Sequence, residues 1–278
     1  MPEGPEVRVV ADFISRSIGR KFDRAEIVEN TDKLHRFSKK PPKGLETLNE
    51  SGFIIESVRA RGKLIIIDFN TNDSRLSALV TLGMSGSWAE NARHYKHARI
   101  SFISNEFDLT FLDPRCFGTF KLVTTDEASS RLNKIGHDLL SSPMDSTAWM
   151  SLRSSKKIKD MPIGEALMEQ KLFSGIGNIY KSEIIYRCYL DPRTPVRDID
   201  DETWASINIA AHDILAASYI NKGSTVSTFS SNGDHGSNQF FLKAYRKSSA
   251  PEGEIIALEQ AGRVTWWCPN RTRTAIVK

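Results

Sequence analysis

The 278-residue chain has only three cysteines, at positions 116, 188 and 268. Their odd number and wide separation argue against a disulfide framework and favour a reducing compartment, and no two of them have metal-binding spacing. Long apolar runs are absent, since the longest fall far short of the ~20 residues that cross a bilayer. The N-terminal MPEGPEVR has neither the basic lead nor the apolar run of a secretory signal.

These absences predict an intracellular protein without a membrane span. We expect it in the nucleus if the source is eukaryotic, and otherwise in the cytoplasm, the nucleoid or a viral replication site. The composition, 40% hydrophobic and 26% charged, excludes disordered, collagenous and coiled-coil classes. The length favours two domains.

The charge balance is weakly basic, with a net charge of +4. Such an excess is a mild indication of a polyanionic partner. Basic residues concentrate after position 241, where they outnumber the acidic ones, so this stretch is the first candidate for a DNA-facing surface. They are Lys243, Arg246, Lys247, Arg263, Arg271, Arg273 and Lys278.

Hydrophobic periodicity predicts a sheet-rich first half. A helix is expected to begin after Pro5 and to stop at Gly19. Short β-branched and aromatic runs then predict an antiparallel β domain. Its strands are expected at 53–58, 64–69, 76–82, 99–103 and 107–112. The polar stretch 123–144 is expected to be a linker.

The second half has helical patterns at 162–170, 178–189 and 201–220. A glycine-bearing turn at 173–177 joins the first two, which predicts a helix-turn-helix unit. Two strand-like runs around 251–253 predict a terminal hairpin. We therefore expect an α+β protein with two domains, at 1–134 and 135–278.

Pro2 and Glu3 are candidates for covalent chemistry. If the initiator methionine is removed, Pro2 presents a secondary amine, and an α-amino group with a reference pKa of about 7.7 to 8 is partly neutral at physiological pH. Attack on a sugar C1′ would give an iminium ion, and Glu3 could carry the protons. Taken alone, the pair is better explained as an ordinary helix lead-in.

Several turns carry residues suited to DNA. Lys63, in the sequence Arg-Gly-Lys before a strand, can reach a phosphate. Met84, Arg115 and Phe117 lie in turns from which side chains could fill the space left by an extracted base. Taken singly, however, Met84 and Phe117 are better explained as core residues. Two further candidates for phosphate contacts are Asn178, at a helix N-terminus, and Arg263, in the terminal hairpin.

In order and spacing, the segments MPEGPEV, RGK, LGMSGSW, DPRCFG, GIGNIY and GRVTWWCP resemble the formamidopyrimidine-DNA glycosylase and endonuclease VIII family. The resemblance implies that 1–134 is a β-sandwich catalytic domain. It implies that 135–278 is a DNA-binding domain with a helix-two-turns-helix element and a finger hairpin. It also implies a monomer that acts on damaged DNA without a cofactor, by base excision and β,δ-elimination.

The resemblance assigns roles to the site residues. Pro2 would be the Schiff-base nucleophile and Glu3 its proton-transfer partner. Lys63, placed with the catalytic residues, and Asn178 would bind phosphate. The remaining members of the set are the void-filling trio Met84, Arg115 and Phe117, the finger arginine Arg263, and His97, which resembles a family histidine near the DNA backbone.

The chain departs from the family pattern at two places. Many members hold the finger with a zinc bound by two cysteine pairs, whereas here Cys268 stands alone, with Arg271 where its partner would be. Because structural zinc takes four ligands, no metal is expected and packing should hold the hairpin. Many bacterial members also have a lysine at the position of Gly164, so the preferred lesion stays open.

Two alternatives remain. One is a catalytically silent protein of the same fold that binds damaged DNA, against which the presence of Pro2 and Glu3 argues. The other is an enzyme that uses an N-terminal proline on a small carbonyl compound, which would need no basic finger. DNA binding at moderate salt distinguishes the second alternative from the other readings.

Overall fold

The computed structural model describes residues 1–29, 37, 41–72, 74–224 and 242–272. The chain divides into two compact units. The described part of the first unit comprises residues 1–2 and most of 6–134, and that of the second comprises 3–5, 135–224 and 242–272. Of the predicted basic tail, Arg273 and Lys278 lie outside the described residues.

The predicted first helix is present as α1, Gly4–Ser15. Its apolar residues recur at helical spacing, and Val7, Val10 and Ile14 are buried in the core of the first unit. The helix ends before Gly19, whose positive φ breaks the helical path.

The first unit is a sandwich of two antiparallel sheets, as the family resemblance implied. One sheet has the order β1-β3-β4-β5-β9 and the other β2-β7-β8-β6. The strands are β1 (Lys21–Phe22), β2 (Arg24–Ile27), β3 (Phe53–Arg61), β4 (Leu64–Asn70), β5 (Arg75–Thr81), β6 (Ser87–Glu90), β7 (Ala98–Ile103), β8 (Asp108–Leu112) and β9 (Thr119–Thr124).

Aromatic side chains fill the space between the two sheets. Phe53 of the first sheet makes edge contacts with Phe69 and with Phe102 of the second sheet, at centroid distances of 5.2 Å in each case. Phe22 stacks on Phe53 at 5.3 Å. Such aromatic pairs add about 0.5–1.5 kcal/mol each beyond the burial of their area, so this cluster fixes how the two sheets face each other.

The stretch expected to be a linker contains a helix, so that prediction is wrong for its first part. Helix α2 spans Thr125–Leu132 and follows β9 directly. The Thr124 side chain accepts a hydrogen bond from the backbone N–H of Glu127, which caps the helix. The buried Ala128 packs on the first sheet with Ile66 and Leu79.

The second unit is mainly helical. Its helices are α3 (Ser146–Arg153), α4 (Ile163–Ala166), α5 (Asn178–Arg187) and α6 (Asp201–Ile220). The bounds of α6 are the predicted ones, and Asp200 caps its start by accepting from the backbone N–H of Thr203 at 2.7 Å. By contrast, α4 is much shorter than predicted, because the chain after Leu167 forms turns that lead to the 173–177 segment.

Two tryptophans join α3 to α6. The rings of Trp149 and Trp204 stack at 4.7 Å. Each indole N–H donates to the other residue's backbone carbonyl, at 2.7 and 2.9 Å. Both side chains are fully buried, so the reciprocal hydrogen bonds satisfy the only polar atom of each ring.

The C-terminal part forms two hairpins rather than one. The predicted turn at 251–253 belongs to a short hairpin of β12 (Ser249–Ala250) and β13 (Gly253–Glu254). A longer hairpin follows, formed by β14 (Ile256–Gln260) and β15 (Arg263–Trp267), with Ala261 and Gly262 at its turn. Two further short strands, β10 (His137–Asp138) and β11 (Phe173–Ser174), pair in parallel. Across the described residues, no helix is long and apolar enough to cross a membrane.

Candidate functional site

The carboxylate of Glu3 is bound at the N-terminus of α5. Its Oε2 accepts from the backbone N–H groups of Gly177 at 2.8 Å and Tyr180 at 3.3 Å, and its Oε1 accepts from that of Ile179 at 2.9 Å. Glu3 is 1% exposed. The free amides and the dipole of a helix N-terminus favour an anion. The arrangement therefore fixes Glu3 in one orientation.

Glycine at position 177 is what permits this approach. A Cβ atom at Gly177 would lie 2.3 Å from Cδ and Oε1 of Glu3, closer than any real contact. Nearby, the backbone N–H of Gly4 donates to the Gly175 carbonyl at 2.9 Å. The glycine-rich turn before α5 thus serves to receive the N-terminal residues.

Asn178 connects α5 to the hairpin of β14 and β15, which is called the finger hairpin below. Its Nδ2 donates to the Val264 carbonyl at 2.6 Å, directly after Arg263, while its Oδ1 is buried without a hydrogen-bond partner among the described residues. Arg263, the first residue of β15, is exposed. Asn178 was predicted as a phosphate donor, and in the structure its amide donates to the backbone beside the other predicted phosphate contact.

Lys181, which the sequence analysis did not select, is a buried cation in the same region. It is 1% exposed and lies in the first turns of α5, where its backbone N–H donates to the Gly177 carbonyl. Burial lowers the pKa of Lys181 to about 8, Glu3 and Glu165 act to raise it, and the nearby Arg263 lowers it. A lysine beside a glycine-rich turn gives no sequence signal of burial.

The end of the finger is organised around Arg271. Its guanidinium lies 4.2 Å from the ring centroids of both Tyr186 and Tyr189, and its Nε donates to the Tyr186 carbonyl at 2.9 Å. Nη1 pairs with Glu252, which also accepts from the Tyr186 hydroxyl at 2.8 Å. That hydrogen bond, with Arg271, holds the pKa of Glu252 below its usual range.

This cluster corrects the prediction for Arg271. The residue was grouped with the candidate DNA-facing cations, but its side chain is only 18% exposed and is used within the protein. Cys268 is buried beside Tyr186, Ala244 and Ile255. No group of three or more His, Cys, Asp or Glu side chains suited to a metal ion occurs in the described ranges. The zinc-free finger stays a prediction.

The structure brings together the turns that carry the predicted void-filling residues. Gly83, with a φ of 58°, lies so close to the neighbouring turn that a Cβ there would be 2.5 Å from the carbonyl carbon of Phe117. Met84, the next residue, is half-buried, and Phe117 is 57% exposed. The Arg115 guanidinium lies 5.6 Å from the Phe117 ring. Phe117 is therefore not a core residue.

Asp113 fixes the shape of this turn. It is 1% exposed and its Oδ2 accepts from the Gly118 backbone N–H at 2.6 Å. The buried Arg99 donates from Nε to the Asp113 carbonyl at 2.9 Å, and the Asp113 N–H donates to the His97 carbonyl at 2.9 Å. Nδ1 of His97 is buried and has no hydrogen-bond partner within the described chain. The sequence analysis named the turn but not Asp113, whose short side chain before proline is a recognisable turn signal.

Lys63 and Pro2 also belong to the first unit. Lys63 is half-buried and follows Gly62 in the two-residue turn between β3 and β4, where Arg61 pairs with Leu64. Pro2 is buried, and Met1 before it is 40% exposed. The structure therefore brings Met84, Arg115, Phe117 and His97 into one group of turns, and Glu3, Asn178 and Arg263 into another.

The surroundings of Gly164 leave no room for a side chain. A Cβ there would lie 2.5 Å from Oε1 of Gln260. The Gln260 side chain is held in place, since its Nε2 donates to the Pro192 carbonyl at 3.1 Å and its Oε1 accepts from the Thr265 hydroxyl at 3.0 Å. The space that a lysine would need is therefore occupied by the finger hairpin.

Comparison with known proteins agrees with this architecture. Residues 1–120 match the formamidopyrimidine-DNA glycosylase N-terminal domain and residues 135–230 match the H2TH domain of the same family. The formamidopyrimidine-DNA glycosylase of Listeria monocytogenes serotype 4b is 32% identical over 97% of this chain and 99% of its own length. The formamidopyrimidine-DNA glycosylase of Rickettsia conorii is 31% identical over 96% of this chain and 98% of its own length.

Solved structures also match this chain over nearly its whole length. A Lactococcus lactis Fpg variant in complex with DNA containing Fapy-dG has a TM-score of 0.82 and 26% identity, covering 98% of this chain and all of its own. The wild-type Lactococcus lactis protein in complex with DNA containing an oxidised pyrimidine has a TM-score of 0.81. The fold and these matches define a DNA glycosylase of base-excision repair with AP lyase activity. The chain belongs to the formamidopyrimidine-DNA glycosylase family.

Proposed function

We propose that the protein removes oxidised bases from DNA through a covalent intermediate on Pro2 and then cleaves the abasic strand by β,δ-elimination. One observation carries this proposal: the carboxylate of Glu3, which is adjacent to Pro2 in the chain, is held buried by three backbone donors. A carboxylate fixed next to an amine nucleophile is suited to the proton transfers that the amine needs.

The reaction begins once Met1 is removed and the Pro2 nitrogen is free. Its lone pair forms a bond to C1′, and the electrons of the glycosidic bond leave with the base, which takes up a proton. The nitrogen, now positively charged, loses its proton to Glu3. Its lone pair then forms the C=N bond of an iminium ion as the C1′–O4′ bond breaks, and Glu3 gives the proton to O4′. Loss of a C2′ proton expels the 3′ phosphate, a second elimination expels the 5′ phosphate, and water releases the enzyme.

The remaining predicted residues have roles on the DNA. Lys63, His97, Asn178 and Arg263 contact the phosphate backbone, which positions the strand without reading its sequence. Met84, Arg115 and Phe117 occupy the space that the extruded nucleotide leaves. The contact between the Gly83 and Phe117 turns supports a joint role for these three side chains, since it keeps them together.

The substrate class is oxidised bases of both kinds. The Lactococcus lactis complexes contain DNA with Fapy-dG in one case and with an oxidised pyrimidine in another, which supports both classes for this chain. A glycosylase panel of oxidised purines and pyrimidines would rank them. We further propose that the protein acts as a monomer, because one site encloses one lesion, in the compartment that holds the DNA.

Borohydride trapping tests the nucleophile. Protein whose N-terminal proline is verified by mass spectrometry should form a covalent complex with DNA that contains an abasic site. Replacement Pro2→Gly should weaken trapping strongly, because the secondary amine is lost. A silent DNA-binding protein of the same fold would bind this DNA without being trapped, and an enzyme for small carbonyl compounds would not bind it at moderate salt. Either result would refute the proposal.

Replacement of Glu3 separates proton transfer from binding. Glu3→Gln should slow base release by about 10²-fold or more, since general acid–base catalysis contributes factors of that order. The affinity for lesion-containing DNA should change far less. Single-turnover excision and equilibrium binding, measured on the same preparation, check the two effects. Equal losses in rate and affinity would contradict a proton-transfer role for Glu3.

A further inference from the structure

Arg263 is an exposed cation at the turn of the finger hairpin. It is the first residue of β15 and pairs with Gln260, the last residue of β14, across a turn formed by Ala261 and Gly262. Both turn residues have a positive φ, 46° and 68°, as the tightest hairpin turns require. The place that the Arg263 guanidinium can reach therefore depends on how this turn is held.

The side chain of Gln260 holds the strand that precedes the turn. Its Nε2 donates to the carbonyl of Pro192, in the segment between α5 and α6, at 3.1 Å. Its Oε1 accepts from the hydroxyl of Thr265, on the opposite strand, at 3.0 Å. Pro192 and Thr265 are both buried, so each of these polar groups depends on a partner within the protein.

Helix α4 meets the finger hairpin at the same carbonyl. The backbone N–H of Gly164 donates to the Pro192 carbonyl at 3.0 Å, so this oxygen accepts one hydrogen bond from α4 and one from Gln260. A Cβ at Gly164 would lie 2.5 Å from Oε1 of Gln260. The absence of a side chain at position 164 therefore gives the Gln260 amide its place.

The strand that follows the turn is held separately, by α5. Asn178 donates to the Val264 carbonyl at 2.6 Å, and the backbone N–H of Trp266 donates to the Ser182 hydroxyl at 3.1 Å. These two bonds fix β15 beyond Arg263, whereas Gln260 fixes β14 before it. Side-chain hydrogen bonds thus hold the hairpin on both sides of the turn.

We infer that Gln260 is a positioning residue that holds the turn of the finger hairpin so that Arg263 is in place for a DNA phosphate before DNA binds. This inference rests on the proposed function, in which Arg263 contacts the phosphate backbone. A turn that is already ordered loses little conformational freedom on binding, and such preorganisation raises affinity. Gln260 therefore contributes to DNA affinity through Arg263.

A double-mutant cycle tests the inference. Gln260→Ala should lower the affinity for duplex DNA with a stable abasic-site analogue by about three- to tenfold, because binding must then order the turn. In the Arg263→Ala protein the same change should alter affinity by less than about twofold, because no guanidinium is left to position. Fluorescence anisotropy titrations measure all four proteins.

The salt dependence is a second measurement on the same proteins. Gln260→Ala should keep the wild-type slope of log K against log salt, because the phosphate contact is still made once DNA is bound. Loss of Arg263 itself should reduce that slope. A merely structural role for Gln260 would instead lower affinity equally with and without Arg263.

Gly164→Ala supplies an independent variant that leaves the finger sequence intact. Its methyl group should displace the Gln260 amide and reproduce the loss of affinity, again only when Arg263 is present. Asn270→Ala removes a neutral, exposed amide from the segment after β15 and should bind like wild type. Thermal melting followed by circular dichroism identifies any variant that is unfolded at the assay temperature.

The outcomes separate this inference from the proposed function. Wild-type affinity in folded Gln260→Ala, or equal losses with and without Arg263, would overturn the role of Gln260. If Gln260→Ala does not fold, the same two results for Gly164→Ala would overturn it. Wild-type protein that borohydride does not trap on abasic DNA would refute the proposed function instead.

Discussion

Arg271 is a single residue on which the end of the finger depends. Its guanidinium contacts Tyr186 and Tyr189 of the segment that ends α5 and pairs with Glu252 in the turn of the short hairpin. Stacking on two rings while making directed hydrogen bonds requires a planar cation, which lysine does not provide. The cluster therefore depends on the shape of the side chain as well as on its charge.

We predict that Arg271→Lys and Arg271→Met both lower the free energy of unfolding, by about 2–3 kcal/mol. Loss of either the charge or the planar group leaves Glu252 and the Tyr186 carbonyl without their donor. Urea denaturation followed by circular dichroism measures the effect. Arg246→Lys, at an exposed position of the same region, should change little. Wild-type stability in Arg271→Lys would show that charge alone suffices.

Among the structural elements, the segment just before the two C-terminal hairpins is anchored by one carboxylate of α5. Glu183 is 4% exposed, and its oxygens accept from the backbone N–H groups of Lys243, Ala244 and Tyr245, at 2.8 to 2.9 Å. Successive amides that converge on an anion form a nest. This nest attaches the segment that leads into the hairpins to α5.

Removing that carboxylate should loosen the segment locally. In Glu183→Ala we expect the amides of residues 243–245 to exchange hydrogen much faster, since three backbone N–H groups lose their acceptor. Hydrogen exchange followed by mass spectrometry measures this. Glu169→Ala, which removes an acceptor from one exposed amide, is the matched control. Unchanged exchange at 243–245 would mean that the segment is held by its other contacts.

The elements differ in how far the sequence determines them. Helix α6 was predicted to the residue, because Asp200 caps its start and the pattern continues to Ile220. Helix α2 was missed because the polar composition of this stretch favoured a linker. Thr124 and Glu127 nevertheless form a recognisable capping pair at its start. The double hairpin could not be predicted, because its register depends on packing against α5.

The sequence also predicted some features of the candidate site and not others. Motifs indicated Glu3, Asn178, Arg115 and Phe117, because each lies in a distinctive turn or helix start. Nothing in the sequence indicated that Asn178 would donate to a finger carbonyl. The burial of Lys181 could not be read from the sequence either, since it results from contacts between residues far apart in the chain.

For the whole molecule, the modest net charge of +4 makes individual cations matter for DNA binding. We predict that Arg263→Ala weakens binding to all sequences and reduces the slope of log K against log salt by about one. Binding titrations at several salt concentrations measure the slope. Arg75→Ala, which removes an exposed arginine paired with Glu56 on the sandwich, is the control. An unchanged slope would exclude Arg263 from phosphate contact.

The stacked indoles of Trp149 and Trp204 give the protein an internal optical marker. Two chromophores 4.7 Å apart and nearly parallel couple their transitions, and that coupling disappears when the rings separate. Residues 1–134 contain one tryptophan, Trp88, buried within the sandwich. In a Trp88→Phe protein, the tryptophan bands of the near-ultraviolet circular dichroism spectrum would therefore follow melting of the second unit alone, so the cooperativity of the two halves can be measured without attaching a dye.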